Sequence, residues 1–183
     1  MSTDMTDVCV PPNRIPTQYL QEYVAWLRPL PWQIFATFTF AWPVSDPQAL
    51  KVFRQFIDRI EKGLRGPVAL VRGDEKRFSG CGMPGAPRHF HVLMAAHRRL
   101  DRHWVREHWM RLAGYRPNGA GADARTYDAS LRGIDYVLKF INQPDGDWDF
   151  RNLDLFLRSP EPQQLKSRQR RRLARHARRL QLK

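Results

Sequence analysis

The sequence predicts an α+β domain. Two observations carry this reading. Short stretches of β-branched and aromatic residues with period-two alternation are interleaved with longer stretches whose apolar residues recur at helical spacing. Two strand-like stretches, 68–75 and 89–95, flank a Gly/Pro-rich connection over 79–87, which suits an antiparallel hairpin.

The elements follow in order. Residues 1–14, ending near Pro11-Pro12, read as a flexible arm, and 15–158 as the folded domain. From Pro16, the residues Tyr19, Leu20, Tyr23, Val24, Trp26 and Leu27 recur at helical spacing until Pro29 and Pro31 stop them. Residues 32–41 alternate as a strand. Ile34, Ala36, Phe38 and Phe40 form an apolar face, and the opposite face offers the hydroxyls of Thr37 and Thr39 to a substrate. Threonine also simply suits a strand. Ser45-Asp46-Pro47 predicts a helix start with a capping side chain, and Gly63 or Gly66 its end. A third, amphipathic helix is expected over 101–112, a short strand over 124–129, and a helix over 130–142. Residues 148–157 are expected to add one last short element, and Pro160 and Pro162 mark a boundary before a basic tail over 159–183.

Charge is distributed unevenly. Nine of the 31 Lys/Arg lie between Leu165 and Lys183 with no acid among them, leaving 22 basic residues against 18 acidic ones elsewhere. A tail of this kind favours a polyanionic partner, nucleic acid first and an anionic membrane surface second. Arg168, Arg170, Arg171, Arg172, Arg175, Arg178 and Arg179 are the expected phosphate contacts, although a polybasic segment without a specific role has the same composition. Two distant cysteines, Cys9 and Cys81, form no disulfide framework or zinc-ribbon pattern and suit a reducing compartment. No run approaches the roughly 18 apolar residues of a membrane span.

His89 and His91 stand two apart, so on a strand both imidazoles face one way while Phe90, Val92 and Met94 face the other. Two neighbouring imidazoles can hold a divalent cation, yet they fit an ordinary half-buried strand equally well. Asp74 or Glu75 would lie opposite them across the hairpin. Tyr136 and Lys139, at i and i+3, share a helix face. A tyrosine with an ammonium and a metal nearby suits nucleophilic attack on a phosphodiester. Taken alone, the spacing also fits a half-buried aromatic beside a surface lysine.

Together and in this order, the pieces resemble the HUH endonucleases, specifically the single-tyrosine initiators of rolling-circle replication. Phe35-Ala36-Thr37-Phe38-Thr39-Phe40 resembles their first strand motif, His89-Phe90-His91 their His-hydrophobic-His motif, and Tyr136-Val137-Leu138-Lys139-Phe140 their Y-x-x-K motif. The resemblance runs from about residue 32 to residue 143. It implies a five-stranded antiparallel sheet with flanking helices, related to the ferredoxin-like and RNA-recognition folds. It also implies site-specific nicking and joining of single-stranded DNA, at an origin or hairpin, through a 5′-phosphotyrosine link. In that scheme Tyr136 is the nucleophile and Lys139 its partner. His89, His91 and Glu75 hold Mg2+ or Mn2+, with Asp74 as the alternative third ligand, and Thr37, Thr39 and Arg88 contact DNA. Phe140 stands where many relatives have a second tyrosine, and Tyr127 reads as a strand residue rather than a nucleophile. No G-x-x-x-x-G-K-[ST] occurs, so a host helicase is the expected partner wherever duplex must open. The same chemistry serves single-tyrosine transposases and relaxases, and a non-catalytic nucleic-acid-binding module is the remaining alternative. The expected location is the bacterial cytoplasm, or the nucleus for a eukaryotic or viral source.

Overall fold

The computed structural model describes residues 17–75, 88–114, 121–143 and 146–157. The chain divides into two compact units, Met1–Leu153 and Asp154–Lys183. The second contributes one short helix to the described residues, α5 (Asp154–Leu157). The expected arm, the 79–87 connection, Cys81 and all seven tail arginines lie outside the described residues.

The first unit is α+β. Its strands are β1 (Ile34–Thr39), β2 (Val68–Glu75), β3 (His89–Ala96), β4 (Ala122–Thr126) and β5 (Gly146–Arg151). They form one antiparallel sheet in the order β4-β1-β3-β2-β5. Helix α2 (Asp46–Leu64) crosses from β1 to β2, and α3 (Arg102–Leu112) from β3 to β4. Each crossover skips a place that another strand fills, which makes two interlocked split βαβ units. This is the ferredoxin-like arrangement, here with β5 added beside β2. Helices α1 (Thr17–Leu27) and α4 (Gly133–Leu138), and a 3₁₀ turn (Lys139–Asn142), complete the unit.

One sheet face is the core predicted from β1. Ile34, Ala36, Phe38 and Phe40 are buried with Phe90, Val92 and Met94 of β3, against Phe53, Phe56, Ile57 and Ile60 of α2 and Val105, Trp109 and Met110 of α3. Trp109 is its hub. The indole stacks on Phe38 at 4.8 Å between centroids, meets Phe40 and Phe56 edge-on, and donates from Nε1 to the Thr39 carbonyl at 2.9 Å. A buried indole N–H needs such a partner. On the second face, Tyr23 of α1 meets Trp148 of β5, and Phe35 of β1 meets Tyr136 of α4.

Several boundaries differ from expectation. Ser45 precedes α2 without a side-chain cap, and the helix ends not at a glycine but at Arg65 in the left-handed region, φ 51°. Gly63 instead lies inside α2, where a Cβ would come within 2.5 Å of the Trp104 ring, so its lack of side chain serves helix packing. The expected helix over 130–142 is broken. A 3₁₀ turn (Ala129–Leu131) is followed by Arg132 at φ 52°, and only then does α4 begin. Capping by Asp128, which accepts from the Ser130 amide at 2.8 Å, stabilises the early turn and offsets the run of good helix formers after it. The expected strand over 124–129 is shifted to Ala122–Thr126. At β5 the Trp148 and Phe150 amides donate to the side chains of Asp147 and Asp149, each at 2.8 Å.

Gly73 sets how closely the tyrosine-bearing segment approaches the sheet. A Cβ there would lie 2.5 Å from the Val137 carbonyl and 2.7 Å from the Phe140 ring, whereas one at Gly66 would have its nearest neighbour at 4.0 Å. Gly73→Ala is therefore expected to lower unfolding free energy by about 1–3 kcal/mol through overpacking, and Gly66→Ala by no more than about 0.5 kcal/mol. Urea denaturation of the two variants checks the contrast.

Candidate functional site

The histidines of β3 sit where three strands run in register. His89 pairs with Thr39 on one side and Glu75 on the other, and His91 with Thr37 and Gly73. Directly paired residues share a sheet face. His89, His91, Thr37, Thr39 and Glu75 therefore point together, away from the Phe90–Trp109 core.

The contacts follow. His91 Nε2 lies 2.9 Å from Glu75 Oε2, and His91 Nδ1 lies 3.1 Å from the Thr37 hydroxyl. His89 Nδ1 lies 2.8 Å from the Thr39 hydroxyl. The two imidazole centroids are 6.3 Å apart. Burial pushes both imidazoles below their ordinary pKa, outweighing the opposing pull of Glu75. Although His91 and Glu75 have ion-pair geometry, the ring is thus predominantly neutral near neutral pH. The carboxylate accepts from His91 Nε2–H, and the Thr37 hydroxyl donates to Nδ1.

Asp74 is on the other face. It pairs with Phe90, is fully buried, and accepts from Arg88 Nε at 2.8 Å and from a second Arg88 nitrogen. Arg88 is itself only 6 % exposed, reaches Asp46 at the start of α2, and lies over the Phe90 ring. The expectation that Arg88 contacts DNA is therefore corrected: its guanidinium joins β2, β3 and α2 beneath the sheet. Asp74 as an alternative metal ligand is corrected for the same reason, since strand parity turns it away from the histidines. Arg72 shares this face, its guanidinium near the Phe53 and Phe90 rings and its Nε buried without a hydrogen-bond partner among the described residues.

Tyr136 comes from α4. Its ring centroid lies 4.8 Å from that of His91, edge-on, and the residue is 40 % exposed. Lys139 belongs to the 3₁₀ turn rather than to the helix, yet its Nζ lies over the Tyr136 ring at 3.7 Å and near the Phe140 ring at 4.6 Å. Tyr127 follows β4, and burial together with Asp135 pushes its phenol further above the range in which it would ionise. Tyr23 is buried, its phenol pushed up to about 12 by burial and then by Glu22. Among the described tyrosines, Tyr136 is the one whose ring meets His91.

Two contributions went unread in the sequence. Phe140, marked only as the position of an absent tyrosine, stacks on His91 at 4.9 Å with an interplanar angle of 7°. Its i+4 spacing from Tyr136 was the available signal, since both rings then share a face. The threonines, expected to face DNA, have their hydroxyls on the histidine nitrogens.

The donor set is compatible with a divalent cation in kind. Two imidazoles have Nδ1 held by hydroxyls, which leaves Nε2 as the coordinating nitrogen, and a carboxylate adjoins one of them. No group of three His, Cys, Asp or Glu side chains with ready-made metal-binding geometry occurs among the described residues. The direct His91–Glu75 hydrogen bond must open before both groups can ligate. No helix among the described residues is long and apolar enough to cross a membrane. Comparison with family models, with curated proteins and with solved structures gave no match.

Two outcomes are expected. Asp74→Ala leaves the buried Arg88 charge without its main partner and lowers stability by about 3–5 kcal/mol, whereas Glu75→Ala, at a partly exposed position, changes stability by less than about 1 kcal/mol. Denaturant midpoints separate the two. Stability also depends on pH. The folded state resists protonation of His89 and His91, whereas the unfolded chain takes up those protons near the ordinary histidine value of about 6.5. Stability is therefore full above that value and falls as pH drops below it. The urea midpoint should decline on acidification from neutral, and less steeply in His91→Gln.

Proposed function

We propose that the chain is a metal-dependent single-tyrosine nuclease of the HUH type, cutting and rejoining single-stranded DNA to initiate rolling-circle replication of a plasmid or phage. The observation that carries this reading is the convergence of Tyr136 and Lys139 on His91, from an element 45 residues away in sequence. A packing role alone would not require an exposed phenol there. His89, His91 and Glu75 are the residues that would hold Mg2+ or Mn2+, which when bound supplies polarisation of the scissile phosphate.

The chain's own residues do the rest. The Tyr136 oxygen attacks phosphorus, an oxygen–phosphorus bond forms to tyrosine, and the bond to the 3′ oxygen breaks. The phenol proton is lost and the departing 3′ oxygen gains one, so the step is balanced and produces a 5′-phosphotyrosine and a free 3′-OH. Lys139, over the phenol ring, stabilises negative charge developing there. Phe140 fixes the plane of His91 by stacking on it. Rejoining is the reverse attack by a 3′-OH. The same steps serve a transposase or relaxase.

A non-catalytic single-strand-binding module is the second reading. It is favoured by the His91–Glu75 hydrogen bond, which occupies the nitrogen that a cation would need. Incubating the full chain with a pool of single-stranded and hairpin DNA in Mn2+ decides between them. The nuclease reading expects a covalent protein–DNA adduct on a denaturing gel, absent in Tyr136→Phe. His89→Ala should abolish the adduct while leaving salt-sensitive binding in place. Salt-sensitive binding with no adduct from the unaltered chain would sink the nuclease reading, and an adduct that persists in Tyr136→Phe would sink the assignment of the nucleophile.

A further inference from the structure

We infer that Thr37 and Thr39 are positioning residues that hold His91 and His89 by hydrogen bonds able to reverse direction, so that each imidazole can present Nε2 either protonated or as a free lone pair. The inference rests on the reading of the histidines as metal ligands.

The argument starts from register. Thr37 stands directly across from His91 and Thr39 directly across from His89, on the same face of two paired strands. Their hydroxyls reach Nδ1 at 3.1 Å and 2.8 Å. One such pair could be incidental to strand composition, but here each of two successive outward positions on β1 meets the matching outward position on β3. At His91 the donor assignment follows from the partners. The Glu75 carboxylate only accepts, so Nε2 carries the proton, Nδ1 is the lone pair, and the Thr37 hydroxyl donates.

Coordination requires the opposite tautomer. Nε2 must offer its lone pair, and a neutral ring then carries its single proton on Nδ1. A hydroxyl meets both states, because it can turn from donor to acceptor without moving its oxygen. A carboxylate or carbonyl in its place could only accept, and would lock the ring as Nδ1–H. The proton count on His91 is unchanged in the exchange: one proton leaves Nε2, one arrives at Nδ1, and Glu75 is released from its hydrogen bond. Thr37 therefore lets His91 pass between a closed, Glu75-bonded state and a ligating state with ring orientation kept, and Thr39 leaves His89 Nε2 the same choice.

The variants Thr37→Val and Thr39→Val keep the shape and strand preference of threonine and remove only the hydroxyl. Two measurements on the full chain at one neutral pH test them. Imidazole nitrogen chemical shifts without metal report the tautomers, and loss of the free-ion paramagnetic resonance signal reports Mn2+ binding. The expected result is a defined Nε2–H tautomer at His91 in the unaltered chain, held by Glu75, and in Thr37→Val a displaced Nδ1 shift as its lone pair loses the hydroxyl donor. Mn2+ binding should weaken about 10-fold in each valine variant, and Thr37→Ser and Thr39→Ser should restore it. Unaltered-chain binding that both valine variants retain, with unchanged imidazole shifts, overturns the threonine assignment alone. Absence of Mn2+ binding by the unaltered chain overturns the metal reading, and this inference with it.

Discussion

The register of β3 between β1 and β2 is the constraint on which the rest depends. The strand feeds two environments at once, Phe90, Val92 and Met94 to the Trp109 core and His89, His91 and Leu93 to the opposite face. A slip of one residue would exchange them, placing imidazoles among phenylalanines and Phe90 beside Glu75. The core forbids that slip at a cost of several buried aromatic contacts, each pair contributing roughly 0.5–1.5 kcal/mol beyond its area. Geometry at the histidines is thus enforced from beneath, by packing that touches none of them.

The Arg88 cluster reinforces the same register from the end of the strand. Arg88 precedes His89 directly and is held by Asp74 and Asp46, with Phe90 against its guanidinium. Charges this deeply buried persist when paired and hydrogen-bonded. The pairing fastens the entry of β3 to the exit of β2 and the first turn of α2. On the other face, Gly73 admits the Val137 carbonyl and the Phe140 ring to the strand surface, and this close approach brings Tyr136 to His91. Backbone proximity at a residue without a side chain, rather than a bond to Tyr136, sets the spacing between the two halves of the site.

Much of this was legible in residue order. Period-two alternation marked β1 and β3 and assigned their faces correctly, because side-chain direction on a strand is fixed by parity alone. The helical spacing of Leu50, Phe53, Ile57, Ile60 and Leu64 marked α2 as plainly. Parity could not decide between Asp74 and Glu75, since the register of the hairpin depends on where the partner strand begins, and the 79–87 connection hides that. Arg88 was expected at the DNA; only the fold reveals the two carboxylates, Asp74 and Asp46, that hold it. The break at Arg132 was invisible because nothing in Leu131-Arg132-Gly133 forbids a helix: the left-handed turn is imposed by Asp128 capping and by Gly133 fitting against Phe35 and Tyr127. The threonine hydroxyls were noticed but assigned outward, because sequence gives the face of a residue and not the partner it meets there.

The Asp147 and Asp149 hydrogen bonds on β5 have a consequence beyond local geometry. β5 lies at an edge of the five-stranded order, and an edge strand exposes amides that can template pairing with another chain. Here the Trp148 and Phe150 amides already donate to the preceding aspartates. The strand carries two large aromatics, both half-buried against α1. Its alternating acids engage those two amides and, paired with Arg72 and Asp74 across the strands, set negative charge near the Arg72 guanidinium. The composition Asp-Trp-Asp-Phe thus turns its aromatics onto Tyr23 and Trp26 of α1 while its acids engage two backbone donors of the outer strand.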